Sequence, residues 1–199
     1  MHQRTLVSLL SAVVCLLGPV THAFAQNAAP TTERHGFTAG AGLGYGWVSQ
    51  DLCPPYSCDA GTGFHGQLGW VWRKDLAIFY EGTSVDAGGI GISAWSSRSV
   101  DLTVRGASVR YWPRAGRGWL SAGEGYGEFT GGGLLEDDPD ITTASGGAVI
   151  GAGWEIWRKE RQMTLDLGVH VLAVPHREHW VGAGIVTLAF NWYQVKSSP

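Results

Sequence analysis

The chain has 199 residues, enough for one domain, and a formal net charge of −3, which disfavours a nucleic-acid partner because such partners need a basic face. It contains 30 glycines, about twice the usual share of about 7%, and ten tryptophans. Beyond the N-terminal segment no stretch is long and apolar enough for a spanning helix, which takes about 20 residues.

The N-terminal segment has the pattern of a secretory signal peptide. Arg4 precedes an apolar run from Leu6 to Leu17, and Ala23-Phe24-Ala25 supplies the small-x-small site that signal peptidase reads. The apolar run is too short for a transmembrane helix. The predicted organisation is a signal peptide at 1–25, a flexible leader at 26–34, a barrel domain at 35–194 and a C-terminal tail at 195–199.

Two cysteines of the exported chain lie close together in a Pro-rich stretch. Cys53 and Cys58 are separated by Pro54-Pro55-Tyr56-Ser57. In an oxidising compartment this spacing predicts a disulfide that closes a loop. A metal site is the alternative, but zinc normally takes four protein ligands in a structural site and only two are present here.

The first predicted strand, residues 35–48, alternates apolar side chains such as Leu43, Tyr45 and Trp47 with glycine. Glycine on the inner face of a narrow barrel makes room for larger side chains from other strands. A phase change near Gly106 predicts a bulge in the fourth strand. The phase of the fifth strand is unclear, because Glu124 and Glu128 share a face with apolar residues. The remaining predicted strands are 63–72, 76–85, 100–112, 119–129, 143–157, 163–174 and 180–193.

The hairpin from Trp154 to Val174 has the clearest alternation. Leu167 and Val169 fall on one face, and Asp166 and His170 on the other. A membrane barrel turns such an apolar face outward to lipid, whereas a soluble barrel buries it. A soluble exported barrel that binds an apolar ligand is therefore the competing prediction.

Strand ends and tryptophans favour the membrane alternative. The connections at 73–75, 113–117 and 158–162 are short and basic, and those at 51–62, 86–98 and 130–142 are longer, as in outer-membrane barrels with short periplasmic turns. The predicted fold is an all-β, eight-stranded, antiparallel up-and-down transmembrane β-barrel. Tryptophans near the strand ends are predicted to form interface belts: Trp47, Trp72, Trp112, Trp119, Trp157, Trp180 and Trp192.

Ionisable residues on the inner faces predict a charge network inside the barrel. An eight-stranded barrel is just filled by side chains, so buried charges must be paired. Glu81 and Arg105 are predicted to form one such pair. The predicted members of this network are Glu81, Asp101, Arg105, Glu155, Asp166 and His170.

Four Gly-aromatic segments carry a resemblance to a known family: 40–46, 123–129, 151–154 and 182–193. With them the chain resembles the small bacterial outer-membrane barrels typified by outer membrane proteins A and X. The resemblance implies an outer-membrane location, termini in the periplasm, and a monomer. It also implies partners: membrane lipid and lipopolysaccharide, and the barrel insertion machinery.

The resemblance favours a non-enzymatic role in envelope integrity or surface interaction through the external loops. Some related barrels modify lipid A with a His-x-Ser motif, but here the motifs are His65-x-Gln67 and His170-x-Leu172. A pore is disfavoured by the strand number. No cofactor or metal is predicted, because the acidic stretch 136–140 lacks calcium-loop spacing and residues 176–179 read as a polar loop.

Overall fold

The computed structural model describes the chain at residues 34–48, 60–87, 100–113, 116–131, 141–159, 162–176 and 179–194. There, each strand pairs antiparallel with the next, and the first strand also pairs with the last, so the sheet closes into an eight-stranded barrel. The predicted fold is confirmed. The strands are β1 (Gly36–Val48), β2 (Gly61–Arg73), β3 (Leu76–Ala87), β4 (Val100–Tyr111), β5 (Gly118–Gly131), β6 (Ile141–Lys159), β7 (Met163–His176) and β8 (His179–Tyr193).

The two ends of the barrel differ in their connections. β2 joins β3 through a turn at Lys74 and Asp75, at the end where β1 begins and β8 ends. By the rule for outer-membrane barrels, the short turns face the periplasm, and we call the opposite end the external end. Within the described part of the chain, no helix is long and apolar enough to cross a membrane.

The β6–β7 hairpin shows which face of the wall meets lipid. Leu167 and Val169 are 47% and 43% exposed, whereas Asp166 and His170 are each 1% exposed. Apolar side chains therefore line the outside of the wall and ionisable ones the inside, as a barrel in a bilayer requires. The competing prediction of a soluble barrel with this apolar face inside is wrong.

The glycine face of β1 points inward, as predicted, and leaves space for side chains from β2 and β8. A Cβ atom built on Gly40 would lie 2.0 Å from Oδ1 of Asn191 and 3.1 Å from Nε2 of Gln67. The absence of a side chain at Gly40 thus allows Asn191 and Gln67 to meet inside the barrel. On the outer face of the same strand, Leu43 and Tyr45 are well exposed.

The bulge predicted at Gly106 is wrong, because β3 and β4 pair without a register shift through this position. Leu102 and Arg110 both point inward, and Arg105 and Val109 both point outward. The alternation appeared to change phase because, at Gly106, the inward face of β4 changes from apolar to polar residues and the outward face changes from polar to mainly apolar ones. Register shifts occur instead near the periplasmic ends, at Val71/Arg73 and at Glu155/Trp157.

Two of the tryptophans predicted for the interface belts lie inside the barrel. Trp112 and Trp119 are 0% and 3% exposed, so their placement at the membrane interface is wrong. They flank the β4–β5 turn but point inward, where they pack against buried cations. The others lie on the outer wall, with Trp192 half-buried against Phe37 and the rest exposed: Trp47, Trp72, Trp157 and Trp180.

The interior is divided along the barrel axis. Apolar side chains fill the external half, and they include Leu102, Phe129, Leu172 and Ile185. The periplasmic half holds buried charged and polar residues together with a smaller apolar cluster that includes Phe79. The predicted signal peptide, the Cys53–Cys58 disulfide and the C-terminal tail lie outside the described residues.

Candidate functional site

Arg110 lies at the centre of the polar half of the interior. Its side chain is 1% exposed, and its guanidinium carbon lies 4.1 Å from the ring centre of Trp119 and 4.9 Å from that of Phe79. One guanidinium nitrogen donates a hydrogen bond to Oε1 of Gln67, and another lies 4.0 Å from Oδ2 of Asp166. Aromatic faces and a carboxylate together stabilise this desolvated cation.

A chain of hydrogen bonds extends from Arg110 across the periplasmic half of the barrel interior. Gln67 accepts from Arg110 and donates through Nε2 to Oδ1 of Asn191, over 2.6 Å. Asn191 in turn donates through Nδ2 to the hydroxyl of Thr164, over 3.5 Å. The chain links β4, β2, β8 and β7, so it ties together strands that are not all neighbours in the sheet.

Arg34 closes the periplasmic mouth. It is 1% exposed and donates to Oε1 of Glu155 through Nε, over 3.0 Å, and to the carbonyl oxygen of Gly116, over 2.9 Å. Its guanidinium also lies over the ring of Trp112, at 4.6 Å. Gly36, with a φ of 76°, follows two residues later. Only glycine adopts this φ without strain, so it suits the bend that leads from the mouth into β1.

Two histidines stack near the middle of the interior. The rings of His65 and His170 are 4.3 Å apart between centres, and each side chain is 1% exposed. His65 Nδ1 lies 2.9 Å from the hydroxyl of Thr83, and Trp119 packs against His170 at 5.6 Å. The pair marks the boundary at which the polar half of the interior meets the apolar half.

Among the described residues, the three buried carboxylates are matched in number by three guanidiniums, of which that of Arg158 is 13% exposed. Three carboxylates, those of Glu81, Glu155 and Asp166, are at most 1% exposed. Three guanidiniums lie among them: Arg34 and Arg158 pair with Glu155, and Arg110 lies within Coulombic range of both Glu81 and Asp166. Such a set is stable only while each charge keeps its partners, because an uncompensated ion in this environment is costly.

The interior around this network is closely packed. The space between His65, Arg110, Asp166 and Asn191 has no room for a water molecule. A closely packed polar core of this kind can hold strands in register. Among the described residues, no three His, Cys, Asp or Glu side chains are grouped as metal ligands.

The structure places four of the predicted network residues inside the barrel: Glu81, Glu155, Asp166 and His170. Asp101 and Arg105 instead lie on the outer wall, because β4 keeps one phase along its length. The predicted Glu81–Arg105 pair is therefore wrong. Arg105 lies over the ring of Tyr126 at 5.0 Å and 3.8 Å from Glu128.

Members of the network that were not predicted include Arg34, Gln67, Arg110, Arg158 and Asn191. Continuing the inward phase from Leu102 through Gly106 would have placed Arg110 inside, since the residues between them alternate without interruption. Arg34 precedes β1, so strand periodicity carries no signal for it. The acidic stretch 136–140 and Glu178 lie outside the described residues.

The inverted distribution of polarity, with an apolar outer wall and a charged interior, defines an integral β-barrel of the bacterial outer membrane. Comparison with solved structures agrees with this class. Neisserial surface protein A is 16% identical, with a TM-score of 0.50, over 79% of this chain and 97% of that chain. Ail, the attachment invasion locus protein of Yersinia pestis, is 12% identical, with a TM-score of 0.53, over 79% of this chain and 99% of that chain.

At these identities the similarity shows the shared fold. No protein-family model matches the sequence, and no curated protein matches it at a significant level.

Proposed function

We propose that this chain is a non-enzymatic, non-conducting scaffold of the outer membrane whose external connections carry its interactions. The observation that carries this proposal is the filled interior. Apolar side chains such as Leu102 and Leu172 occupy the external half, and Arg110, packed against Trp119, occupies the periplasmic half. A barrel of eight strands is just wide enough for side chains to fill, so its wall serves as an anchor.

Conduction is tested with the full chain reconstituted in planar bilayers. We expect no stepwise current, because Arg34, Trp112 and Glu155 close the periplasmic mouth. A porin with 16 or so strands, which encloses an aqueous channel, serves as the positive control. Stable single-channel steps from the wild-type chain would contradict the proposal.

The contact between His65 and Thr83 resembles the pairing of a base with a hydroxyl nucleophile. Both side chains are 1% exposed, and the neighbouring space has no room for water, so a substrate could not reach them. We expect the refolded protein to leave the acyl content of lipopolysaccharide unchanged by mass spectrometry. Acyl loss that occurs with wild type and not with Thr83→Val would overturn the non-enzymatic assignment.

The external connections span residues 49–60, 88–99, 132–140 and 177–178. Ail, which shares the fold, has been solved in complex with the heparin analogue sucrose octasulfate. In this chain the connection after β5 reads Glu136-Asp137-Asp138-Pro139-Asp140, so its charge favours cationic partners over a polyanion.

A complementation experiment separates the role of the connections from that of the wall. Cells lacking the protein are complemented with the full chain or with a variant whose 132–140 segment is replaced by Gly and Ser. We expect the full chain, but not the variant, to restore surface adhesion, while resistance to large antibiotics stays the same in all strains. Loss of that resistance in the deletion strain, restored by both chains, would assign the function to envelope integrity instead.

A further inference from the structure

Glu124 lies on the outer wall of the barrel, at a level where that wall meets hydrocarbon. Its side chain is exposed on β5, six residues beyond the start of the strand at Gly118. At about 3.3 Å per residue and a strand tilt of about 40°, six steps carry it about 15 Å from the periplasmic end. The apolar band of such a barrel is about 25 Å tall. The carboxylate of Glu124 therefore lies within this band.

The register of the strands gives the relative height of Arg105 on the same wall. Following paired residues once round the barrel leads from Thr38 on β1 to Val48 on the same strand, a shift of ten residues. Each strand is therefore displaced about 3 Å toward the external end relative to the one before it. Arg105 pairs with Tyr126, which lies two residues, or about 5 Å along the axis, beyond Glu124. The two offsets nearly cancel, so Arg105 and Glu124 lie within about 2 Å of the same height.

Glu124 has no counter-charge in its own chain. Among the described residues its carboxylate takes part in no salt bridge or hydrogen bond. Arg105, the cation on the neighbouring strand, lies 3.8 Å from Glu128 instead. An ionised side chain that faces lipid without a partner is costly, so such residues pair or mark a functional site. The position of Glu124 therefore calls for a cation from outside the chain.

The other carboxylates of this wall lie nearer the external surface. Glu128 is four residues beyond Glu124, and Asp86 and Asp101 face each other near the external ends of β3 and β4. Four residues along a tilted strand raise Glu128 by about 10 Å, to the level of the external interface. At that level water and salt screen the charges. Only Arg105 and Glu124 remain as a set of opposite charges at hydrocarbon level on this part of the wall.

The wall around Glu124 is flat. Ala107 and Ala148 are its paired neighbours on β4 and β6, and Ala122 precedes it on the same face of β5. These three small side chains lie at least partly exposed on the outer wall. Small residues let two membrane-embedded surfaces approach closely, so that polar groups on both can meet. We call this surface the β4–β5 patch, and it consists of Arg105, Ala107, Ala122, Glu124 and Ala148.

We propose that the β4–β5 patch is the interface of a parallel homodimer in the outer membrane. A twofold axis along the membrane normal keeps each residue at its own height and brings β4 of one copy opposite β5 of the other. Arg105 of each copy then meets Glu124 of the other, which gives two reciprocal ion pairs. A second copy thus supplies the missing cation at the matching height. The dimer replaces the monomer that the family resemblance implied, and it does not depend on the role proposed for the external connections.

Charge reversals distinguish contacts between copies from contacts within one copy. In a dimer of Arg105→Glu both contacts join two carboxylates, and in a dimer of Glu124→Arg both join two guanidiniums. Each variant alone should therefore fail to associate. A mixture of the two variants restores opposite charges at both contacts, whereas the charges within each single chain remain alike. Rescue by mixing can therefore arise only between copies.

The full chain is labelled at its C-terminus with a donor or an acceptor fluorophore and refolded into lipid vesicles, and energy transfer is titrated against the protein-to-lipid ratio. Folding is checked by heat-modifiable gel mobility. We expect each reversal to weaken association at least about a hundredfold, because two charge-assisted hydrogen bonds are lost, and the equimolar mixture to regain most of it. Arg73→Glu, which reverses a 69% exposed cation at a periplasmic turn, should associate like wild type.

A bulkier side chain tests the same surface without changing its charge. Ala122→Leu should weaken association, whereas Ala41→Leu, on the exposed face of β1, should not, and this comparison decides the outcome if the reversals do not fold. A wild-type chain that shows no association would mean that lipid covers the patch and would overturn the proposal. Association that both reversals leave intact would place the dimer on another face. A mixture that associates no better than either variant alone would likewise overturn the pairing of Arg105 with Glu124.

Discussion

Leu102 and Arg110 point into the barrel from the same face of β4, but they enter different surroundings. Leu102 lies in the external half among apolar side chains such as Val104 and Phe129. Arg110 lies in the periplasmic half beside Gln67 and Asp166. One continuous wall therefore encloses an apolar core and a charged core, stacked along its axis.

The two halves differ in what they demand of each residue. Apolar packing is non-directional, so the external half depends on filled volume and tolerates exchange of side chains of similar size. In the charged half each buried ion depends on particular partners, and removing one partner leaves the others uncompensated. The external half thus contributes stability that is spread over many contacts, whereas the periplasmic half concentrates it on Arg110 and Glu155.

The largest expected effect is that of removing the central cation. Arg110→Met should lower the free energy of unfolding by about 3–5 kcal/mol, because the buried carboxyl groups of Glu81 and Asp166 then lose the cation that compensates them. Equilibrium urea unfolding of the protein folded into lipid vesicles measures this change. The control is Arg105→Met on the outer wall, and equal losses in both variants would contradict the distinction between interior and wall.

A somewhat smaller loss is expected in the apolar half. Leu102→Ala should cost about 3 kcal/mol, from lost burial and the cavity it leaves. Leu102 and Arg110 are about 26 Å apart along the strand at 3.3 Å per residue. In the same urea experiment the double variant should therefore equal the sum of the single losses within about 0.5 kcal/mol. A larger deviation would mean that the two halves act as one coupled core.

The smallest of the three effects concerns the periplasmic mouth. A double-mutant cycle with Arg34→Met and Glu155→Gln should give a coupling energy of about 2 kcal/mol, because the pair is buried and directly hydrogen-bonded. The matched control is the Arg73–Asp75 pair, 3.3 Å apart, in which Arg73 is 69% and Asp75 25% exposed, and where coupling should stay below about 1 kcal/mol. Equal coupling in the two cycles would show that burial adds nothing at the mouth.

The architecture could be predicted from the sequence because period-two alternation is local information. In β7, Asp166 to His170 alternate without ambiguity, and lipid on one side and packed side chains on the other impose that alternation. In β1, alternating glycines identified the inner face in the same way. The predictions that were wrong concern residues whose polarity does not distinguish the inner face of the wall from the outer face.

Asp101, Arg105, Trp112 and Trp119 illustrate that limit. In the first half of β4 the inward side chains are apolar and the outward ones are polar or charged. Assigning charged residues to the interior therefore placed Asp101 and Arg105 on the wrong face of this strand. Trp112 and Trp119 flank a turn, where an interface tryptophan and a buried one have the same sequence context. The burial of Arg34 could not be predicted from the sequence around it, because it depends on a contact with Glu155, far away in the chain.

Closure of the wall has a further consequence for how the chain can assemble. Thr38 pairs with Tyr193, so the first strand must wait for the last before its second edge is satisfied. Until then, two strands with unpaired backbone amides and carbonyls stand open, in a chain whose outward side chains prefer lipid to water. Long-range pairing of this kind is slow. The barrel can therefore close only after β8 is present. A chain that ends before β8 keeps two open strand edges, through which it can pair with other chains.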